Sequence, residues 1–186
     1  MNIHFDFLAT IYDRSIGVPD TDVLAELLDL PTEGRVLDAG GGTGRVSSQL
    51  RDKAGEIVIC DLSHNMLKEA RFKKGMETVR SHTERLPFAD AAFDRILVVD
   101  AFHHFCDQER SVSELLRVLA PGGRLVIEEP DIRRFVVKLV ALAEKLTLMR
   151  SHFYSGDRIR RMIEAHGYDA RVHSDGGFAV RVAVEK

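Results

Sequence analysis

Val36-Leu37-Asp38-Ala39-Gly40-Gly41-Gly42-Thr43-Gly44 is the stretch that decides the reading of this chain. A short apolar strand, 35–38, runs straight into a glycine loop, and residues 45–53 read as the helix that follows. Glycines at the end of a strand let the backbone turn tightly and approach a ligand with no side chain in the way. The helix N-terminus beyond them offers amide donors to an anionic group. A second strand, 56–61, ends on Asp61, 17 residues after Gly44. A carboxylate there can accept hydrogen bonds from both hydroxyls of a ribose. In open α/β sheets ligands bind at the carboxyl ends of the strands, near the switch in strand order, so the two features point to one ligand.

The same alternation extends outward in both directions. Residues 21–30 carry apolar side chains at 23, 24, 27, 28 and 30, a helical stripe that Pro31 stops. Ser63 N-caps a helix running through 73, and 78–81 is a weak third strand. Residues 94–99 form a buried strand, 108–119 an amphipathic helix halted by Pro121-Gly122-Gly123, and 124–128 a fifth strand. Ser155 caps a further helix, 156–166, ended by Gly167. Segments 168–173 and 178–184 flank the turn Ser174-Asp175-Gly176-Gly177, which predicts an antiparallel hairpin closing the sheet. The expected fold is therefore α/β: a doubly wound, mostly parallel sheet of seven strands with helices on both faces. No linker interrupts it, so 1–186 reads as one domain.

Composition narrows the function. The 186 residues are 45% hydrophobic and 30% charged, with 14 Gly and 5 Pro, which excludes a disordered tail, a collagen-like chain and a disulfide-stapled miniprotein. Lys plus Arg number 26 against 29 Asp plus Glu, a net charge of −3, so the chain lacks the electrostatic footprint of a general nucleic-acid binder. Cys60 and Cys106 have no metal-ligand spacing, and no metal is expected. Cys60, within Ile57-Val58-Ile59-Cys60, reads as a packed thiol. The first residues show no basic region and no apolar signal core. No run reaches the ~18 uncharged apolar residues of a membrane span. The expectation is a cytoplasmic protein without a transmembrane segment.

Two nucleotide readings compete for the glycine loop. The dinucleotide fingerprint G-x-G-x-x-G/A would need Gly or Ala at 45, where Arg45 stands. The spacing is instead Asp38-x-Gly40-x-Gly42-x-Gly44. Further pieces follow in order: Asp61-Leu62-Ser63 with Met66-Leu67, Glu84-Arg85-Leu86-Pro87-Phe88 before Phe93-Asp94, Asp100-Ala101-Phe102-His103-His104, and Arg117-Val118-Leu119-Ala120-Pro121-Gly122-Gly123. Together they resemble the class I S-adenosylmethionine-dependent methyltransferases, in particular the type 11 small-molecule group that is similar to the ubiquinone/menaquinone-biosynthesis enzymes. That family has a Rossmann-like fold.

The resemblance implies S-adenosylmethionine as cofactor, S-adenosylhomocysteine as product and a small, apolar or aromatic acceptor. It places Gly40, Gly42 and Gly44 against the methionine part, with Asp38 ordering the loop and the amino group. It puts Asp61 on the ribose hydroxyls, Leu62 or Met66 near the adenine, and Thr83 with its backbone amide toward the ring. His82-Thr83 stands where many relatives have Asp-Ala, so the usual partner of the adenine amino group is replaced by His82. Asp100 and Ala101 would lie nearest the sulfonium and the acceptor, and Tyr12, in an N-terminal segment resembling the family's Tyr-Asp stretch, would fold over the cofactor.

Asp100, His103 and His104 are the catalytic candidates. An imidazole titrates near neutral pH and suits a base, while the bland alternative has a histidine packed at the strand–helix junction. Asp131, His152, Tyr154 and Glu128-Glu129 are further polar groups toward the acceptor mouth. Residues 132–155 exceed the minimal fold and form a lid-like helical insertion. Its apolar surface, broken by Arg134, Lys138 and Lys145, fits a buried helix, a lid over an apolar acceptor, or a homodimer face. A nucleic-acid substrate is not expected, since Asp100-Ala101-Phe102-His103 replaces the (Asp/Asn)-Pro-Pro-aromatic segment of amino-methylating DNA enzymes. The alternative from another class is a non-catalytic S-adenosylmethionine-binding regulatory or assembly protein. An acceptor pocket beside Asp100 separates the two.

Overall fold

A computed structural model describes residues 19–133, 137, 152–174 and 176–186. Four strands carry unbroken buried runs at their carboxyl halves, and these build the middle of the sheet. In β1 (Thr32–Ala39) and β2 (Ala54–Asp61) the last four residues and Ile57–Cys60 are buried. In β4 (Phe93–Val99) Ile96 to Val99 are buried, and β5 (Leu119–Pro130) buries Leu125 to Glu129. Runs without alternation are what strands covered on both faces require. The edge strands are β3 (Met76–Arg80) on one side and the pair β6 (Ala170–His173) and β7 (Ala179–Glu185) on the other. Strand order is β3-β2-β1-β4-β5-β7-β6. The first five strands pair in parallel, while β7 runs antiparallel to both β5 and β6. The order reverses between β1 and β4, and the switch point lies at their carboxyl ends.

Adjacent residues of the central strands point into two different layers, as strand geometry dictates. Leu37, Val58, Ile96, Val98 and Ile127 pack with Phe102, α4 (Gln108–Val118) and α5 (Gly156–Glu164). Val36, Ile57, Ile59, Leu97 and Val126 pack on the opposite layer with α1 (Thr21–Leu27), Leu50 of α2 (Ser47–Leu50) and Leu67 of α3 (His64–Ala70). Side-chain caps fix where helices begin. Ser63 accepts from the Met66 amide, Asp107 from Arg110 and Ser155 from Arg158.

Three expectations shift. The helix expected over 45–53 reduces to α2 and a 3₁₀ turn, Arg51–Lys53, because the tight turns of the glycine loop continue through Val46. Strand β5 begins at Leu119, before Pro121-Gly122-Gly123. Leu119 pairs with Phe93 and Arg124 with Arg95, so the intervening residues bulge out of register, with Gly122 at φ 74°. Strand β3 starts two residues earlier than its apolar pattern suggests, since no residue of this edge strand is fully buried. Tyr12 and most of the 132–155 insertion lie outside the described residues, although Val137 is described and buried. Among the described residues no helix is long and apolar enough to cross a membrane.

Candidate active site

The carboxyl ends of β1, β2, β3 and β4 converge on a cavity of about 390 Å³, within the range of small-molecule sites. Its floor is the glycine loop, tied to β2 by a hydrogen bond from the Gly40 amide to the Cys60 carbonyl at 2.7 Å. Gly40 and Gly42 adopt left-handed φ values of 77° and 55°. A Cβ on Gly40 would lie 2.6 Å from the Ala101 Cβ. A Cβ on Gly42 would meet no wall: its nearest neighbours are Met66 Sδ at 3.9 Å and Asp61 Oδ2 at 4.0 Å, and it would stand in the cavity. Gly44 departs from the place the resemblance gives it. It is not in the cavity wall; its Cβ direction meets Ile59 Cδ1 at 2.6 Å, so this glycine lets the loop pack on the core beneath.

Asp61 is held from both sides. Its Oδ2 accepts the Gly42 amide at 2.9 Å and its Oδ1 the Ser63 amide at 2.7 Å. A carboxylate oxygen can accept two hydrogen bonds, so a carboxylate fixed by one amide on each oxygen is set to meet a vicinal diol. Leu62 and Met66 continue the wall beside it. The Ser81 amide donates to the Asp61 carbonyl at 3.1 Å and brings the loop after β3 alongside. There His82 and Thr83 line the cavity, with His82 Nδ1 3.5 Å from Glu84 Oε2. Glu84 Oε1 accepts the amides of Cys106 at 2.7 Å and Asp107 at 3.1 Å.

Asp38 is buried below the loop and accepts the Ser47 hydroxyl at 2.6 Å. Burial pushes its carboxyl up to about 6, against the pull of Ser47 and with a further push from Asp61. Asp100, just past β4, holds a left-handed φ of 52° without being glycine, a strained conformation of the kind that clusters at functional sites. Arg45 Nη2 lies 3.1 Å from its Oδ2. Burial and then Glu129 raise the Asp100 carboxyl, while Arg45 and His103 oppose them.

The two candidate histidines separate. His104 lines the cavity, and burial followed by the charge of His103 pushes its imidazole down to about 3. It is a neutral wall group and a poor proton acceptor. His103 is buried behind the wall, its Nδ1 2.5 Å from Glu129 Oε2 and its ring stacked on Phe153 at 4.2 Å. Glu129 Oε1 also accepts the Phe102 amide at 2.8 Å. The other polar candidates lie apart from the cavity. Asp131 pairs with Arg133, Glu128 with Arg181, Tyr154 packs at the first core layer, and the His152 amide donates to the His103 carbonyl at 2.8 Å. Among the described residues no group of His, Cys, Asp and Glu could hold a metal ion.

Residues 37–127 match a family described as "Methyltransferase domain". The match covers 91 of the 186 residues. A demethylmenaquinone methyltransferase of Thermus thermophilus is 41% identical over 102 residues, 51% of this chain and 46% of that one. The ubiquinone/menaquinone biosynthesis C-methyltransferase UbiE of Pseudomonas fluorescens is 37% identical over 114 residues, 56% of this chain and 44% of that one. The chain thus spans about half the length of the curated relatives it matches. A solved structure described as a SAM-dependent methyltransferase, possible histamine N-methyltransferase, from Thermotoga maritima superposes with a TM-score of 0.80 at 24% identity, over 100% of both chains.

The residues lining this cavity fit S-adenosylmethionine. Gly42 leaves open the space a Cβ would fill, and Asp61 beside it is fixed for a diol. Asp38, Asp61, Glu84 and Asp100 outnumber Arg45 and Arg80 in the wall, which suits a cationic ligand. Reading the sequence missed the Arg45–Asp100 pair, since Arg45 served only to exclude the dinucleotide fingerprint. It missed the partners of Asp38 and His103 as well. No local pattern marks such pairs.

Proposed function

We propose that the chain transfers a methyl group from S-adenosylmethionine to a small apolar or aromatic acceptor, releasing S-adenosylhomocysteine. The observation that carries this reading is one cavity whose wall runs from Gly42 and Asp61 through to Asp100, Ala101, His104 and Phe105. When bound, the cofactor supplies a methyl group already activated on a positively charged sulfur, so the protein's task is alignment and exclusion of water. The chain's residues suit that task. Asp61 and the glycine loop hold one end, Asp38 lies where an ammonium offsets its burial, and Arg45 restrains the Asp100 carboxylate at the junction. Neutral His104, Ala101 and Phe105 offer the acceptor a wall without added positive charge.

The names of the relatives, tied to menaquinone and ubiquinone, support an acceptor of quinone type. In this reading residues 132–155 cover the acceptor side. In support, Gln108 Nε2 donates to the Phe102 and His152 carbonyls at 2.9 Å each, holding the segment's C-terminal flank against the 102–104 turn. A purely cofactor-binding protein would have no need of an open wall beside Asp100. The test incubates the protein with methyl-labelled S-adenosylmethionine and either cell extract or a demethylated naphthoquinol. Label appearing in a small molecule supports the reading. Cofactor binding with no label transferred from any extract favours the binding protein.

A further inference from the structure

Pairing between β4 and β5 ends at Val99 opposite Glu128, and pairing between β1 and β4 ends at Asp38 opposite Leu97. Beyond those pairs the ladder no longer sets how the turn after β4 sits against the glycine loop after β1. The contact is nevertheless tight. Ala101 and Phe105 are buried, and a Cβ on Gly40 would lie 2.6 Å from Ala101 Cβ and 3.2 Å from Phe105 Cε1. The 3₁₀ turn Phe102–His104 joins those two residues, and β5 holds it. The Glu128 carbonyl accepts the Asp100 amide at 3.0 Å, and the next residue continues with its side chain. Glu129 Oε1 accepts the Phe102 amide at 2.8 Å, while Oε2 lies 2.5 Å from His103 Nδ1. The Glu129 backbone pairs with Val180 of β7, so the carboxylate reaches across from an anchored strand. On the far side Gln108 Nε2 steadies the Phe102 carbonyl at 2.9 Å. A carboxylate only 3% exposed is costly unless its oxygens are hydrogen-bonded, and both oxygens of Glu129 are given to this one turn.

Resting on the cofactor assignment above, we propose that Glu129 is a positioning residue, which presses Ala101 and Phe105 onto Gly40 and so keeps the glycine loop in shape for the amino-acid end of the cofactor. The line of action runs from the carboxylate to the Phe102 amide and the His103 ring, and through the 3₁₀ turn to the two residues that touch Gly40. From behind, the Cys60 carbonyl holds the Gly40 amide at 2.7 Å, so this glycine is clamped between β2 and the turn. Asp61 is steadied from its own strand end, by the Ser63 amide at 2.7 Å and by the Ser81 amide on its carbonyl at 3.1 Å. A shift of the 101–105 turn therefore disturbs the amino-acid end more than the ribose end.

The experiment measures calorimetric affinities of the intact chain for S-adenosylhomocysteine and for 5′-methylthioadenosine, which keeps the nucleoside and the sulfur but lacks the amino acid. Three variants are compared at one pH, with thermal melting to verify that each is folded. Glu129→Leu keeps similar bulk and accepts no hydrogen bond. Glu129→Gln removes the charge, keeps an oxygen for the Phe102 amide and can donate to His103 Nδ1, so it separates geometry from charge. His103→Leu removes one of the two holds. The expected result for Glu129→Leu is an S-adenosylhomocysteine affinity at least about tenfold weaker, with 5′-methylthioadenosine within about threefold of the unaltered chain. Glu129→Gln stays within about threefold for both ligands, and His103→Leu falls between the two glutamate variants. Normal S-adenosylhomocysteine binding by folded Glu129→Leu overturns the inference, as does an equal loss of both ligands, which marks general damage to the fold. A loss in Glu129→Gln as large as in Glu129→Leu overturns it too, since charge and not position would then matter. If Glu129→Leu does not fold, His103→Leu decides, and an unchanged ratio of the two affinities there overturns the inference. All these outcomes leave the cofactor assignment standing. An unaltered chain that binds neither ligand overturns that assignment, and this inference with it.

Discussion

Asp38→Asn should make the protein more stable and a worse binder, and the size of the first effect follows from the buried carboxyl. Burial raises its pKa from 3.8 to about 6. Because the native state holds this proton more tightly than the unfolded chain, stability falls as pH rises through the window between those values, and the loss is complete above it. The full displacement corresponds to about 3 kcal/mol at 1.36 kcal/mol per unit. Asparagine mimics the protonated form: its carbonyl oxygen can still accept the Ser47 hydroxyl that Asp38 accepts at 2.6 Å. The variant should therefore exceed the unaltered protein by about 1 kcal/mol at pH 4.5 and about 3 kcal/mol at pH 7.5, groups common to both cancelling in the difference. Urea unfolding at the two pH values reads this directly. Calorimetry with S-adenosylhomocysteine at pH 7.5 should show at least about a tenfold weaker affinity, because a ligand ammonium loses its charged partner. A variant no more stable than its parent at pH 7.5, or a stability difference that does not change with pH, would refute the reasoning.

Asp61→Ala should weaken S-adenosylhomocysteine at least about tenfold by calorimetry, since hydrogen bonds to a charged acceptor are worth roughly 1.5–3 kcal/mol; an unchanged affinity removes Asp61 from the site. Gly42→Ala should cost about 1–2 kcal/mol of stability at its left-handed φ and abolish detectable cofactor binding, because the new methyl stands in the cavity; a folded variant binding normally would contradict the cradle. Arg45→Met leaves Asp100 with its buried charge uncompensated and should lower the melting temperature by more than the double change Arg45→Met with Asp100→Asn; additive losses in that cycle would show that the pair is not coupled.

What the sequence discloses depends on how local the cause is. The central strands were legible at Val36-Leu37, Ile57–Cys60 and Ile96–Val99 because a strand covered on both faces must be apolar throughout. Strand β3 was harder to bound, because an edge strand with half-buried side chains has no such run. The bulge at Pro121-Gly122-Gly123 looks locally like a terminator; only pairing with β4 turns it into an interruption within β5. The same division holds at the site. Glycine spacing and an acid at a strand end are short-range signals, and they led to Gly40, Gly42 and Asp61. Arg45 with Asp100, and His103 with Glu129, are partners 55 and 26 residues apart, joined by the order of strands alone.

Glu84 carries a consequence for how this cavity can change. One oxygen of that carboxylate clasps the backbone just ahead of α4, so the loop at one end of the cavity and the helix flanking the other are riveted together. The two compartments cannot be widened separately on that side. Swinging α4 outward to widen the cavity would drag the 81–84 loop with it and reshape the end lined by His82 and Thr83. Remodelling for a new acceptor is therefore simplest at the side chains of the wall itself, at Ala101, His104 and Phe105, which can change without moving that shared backbone.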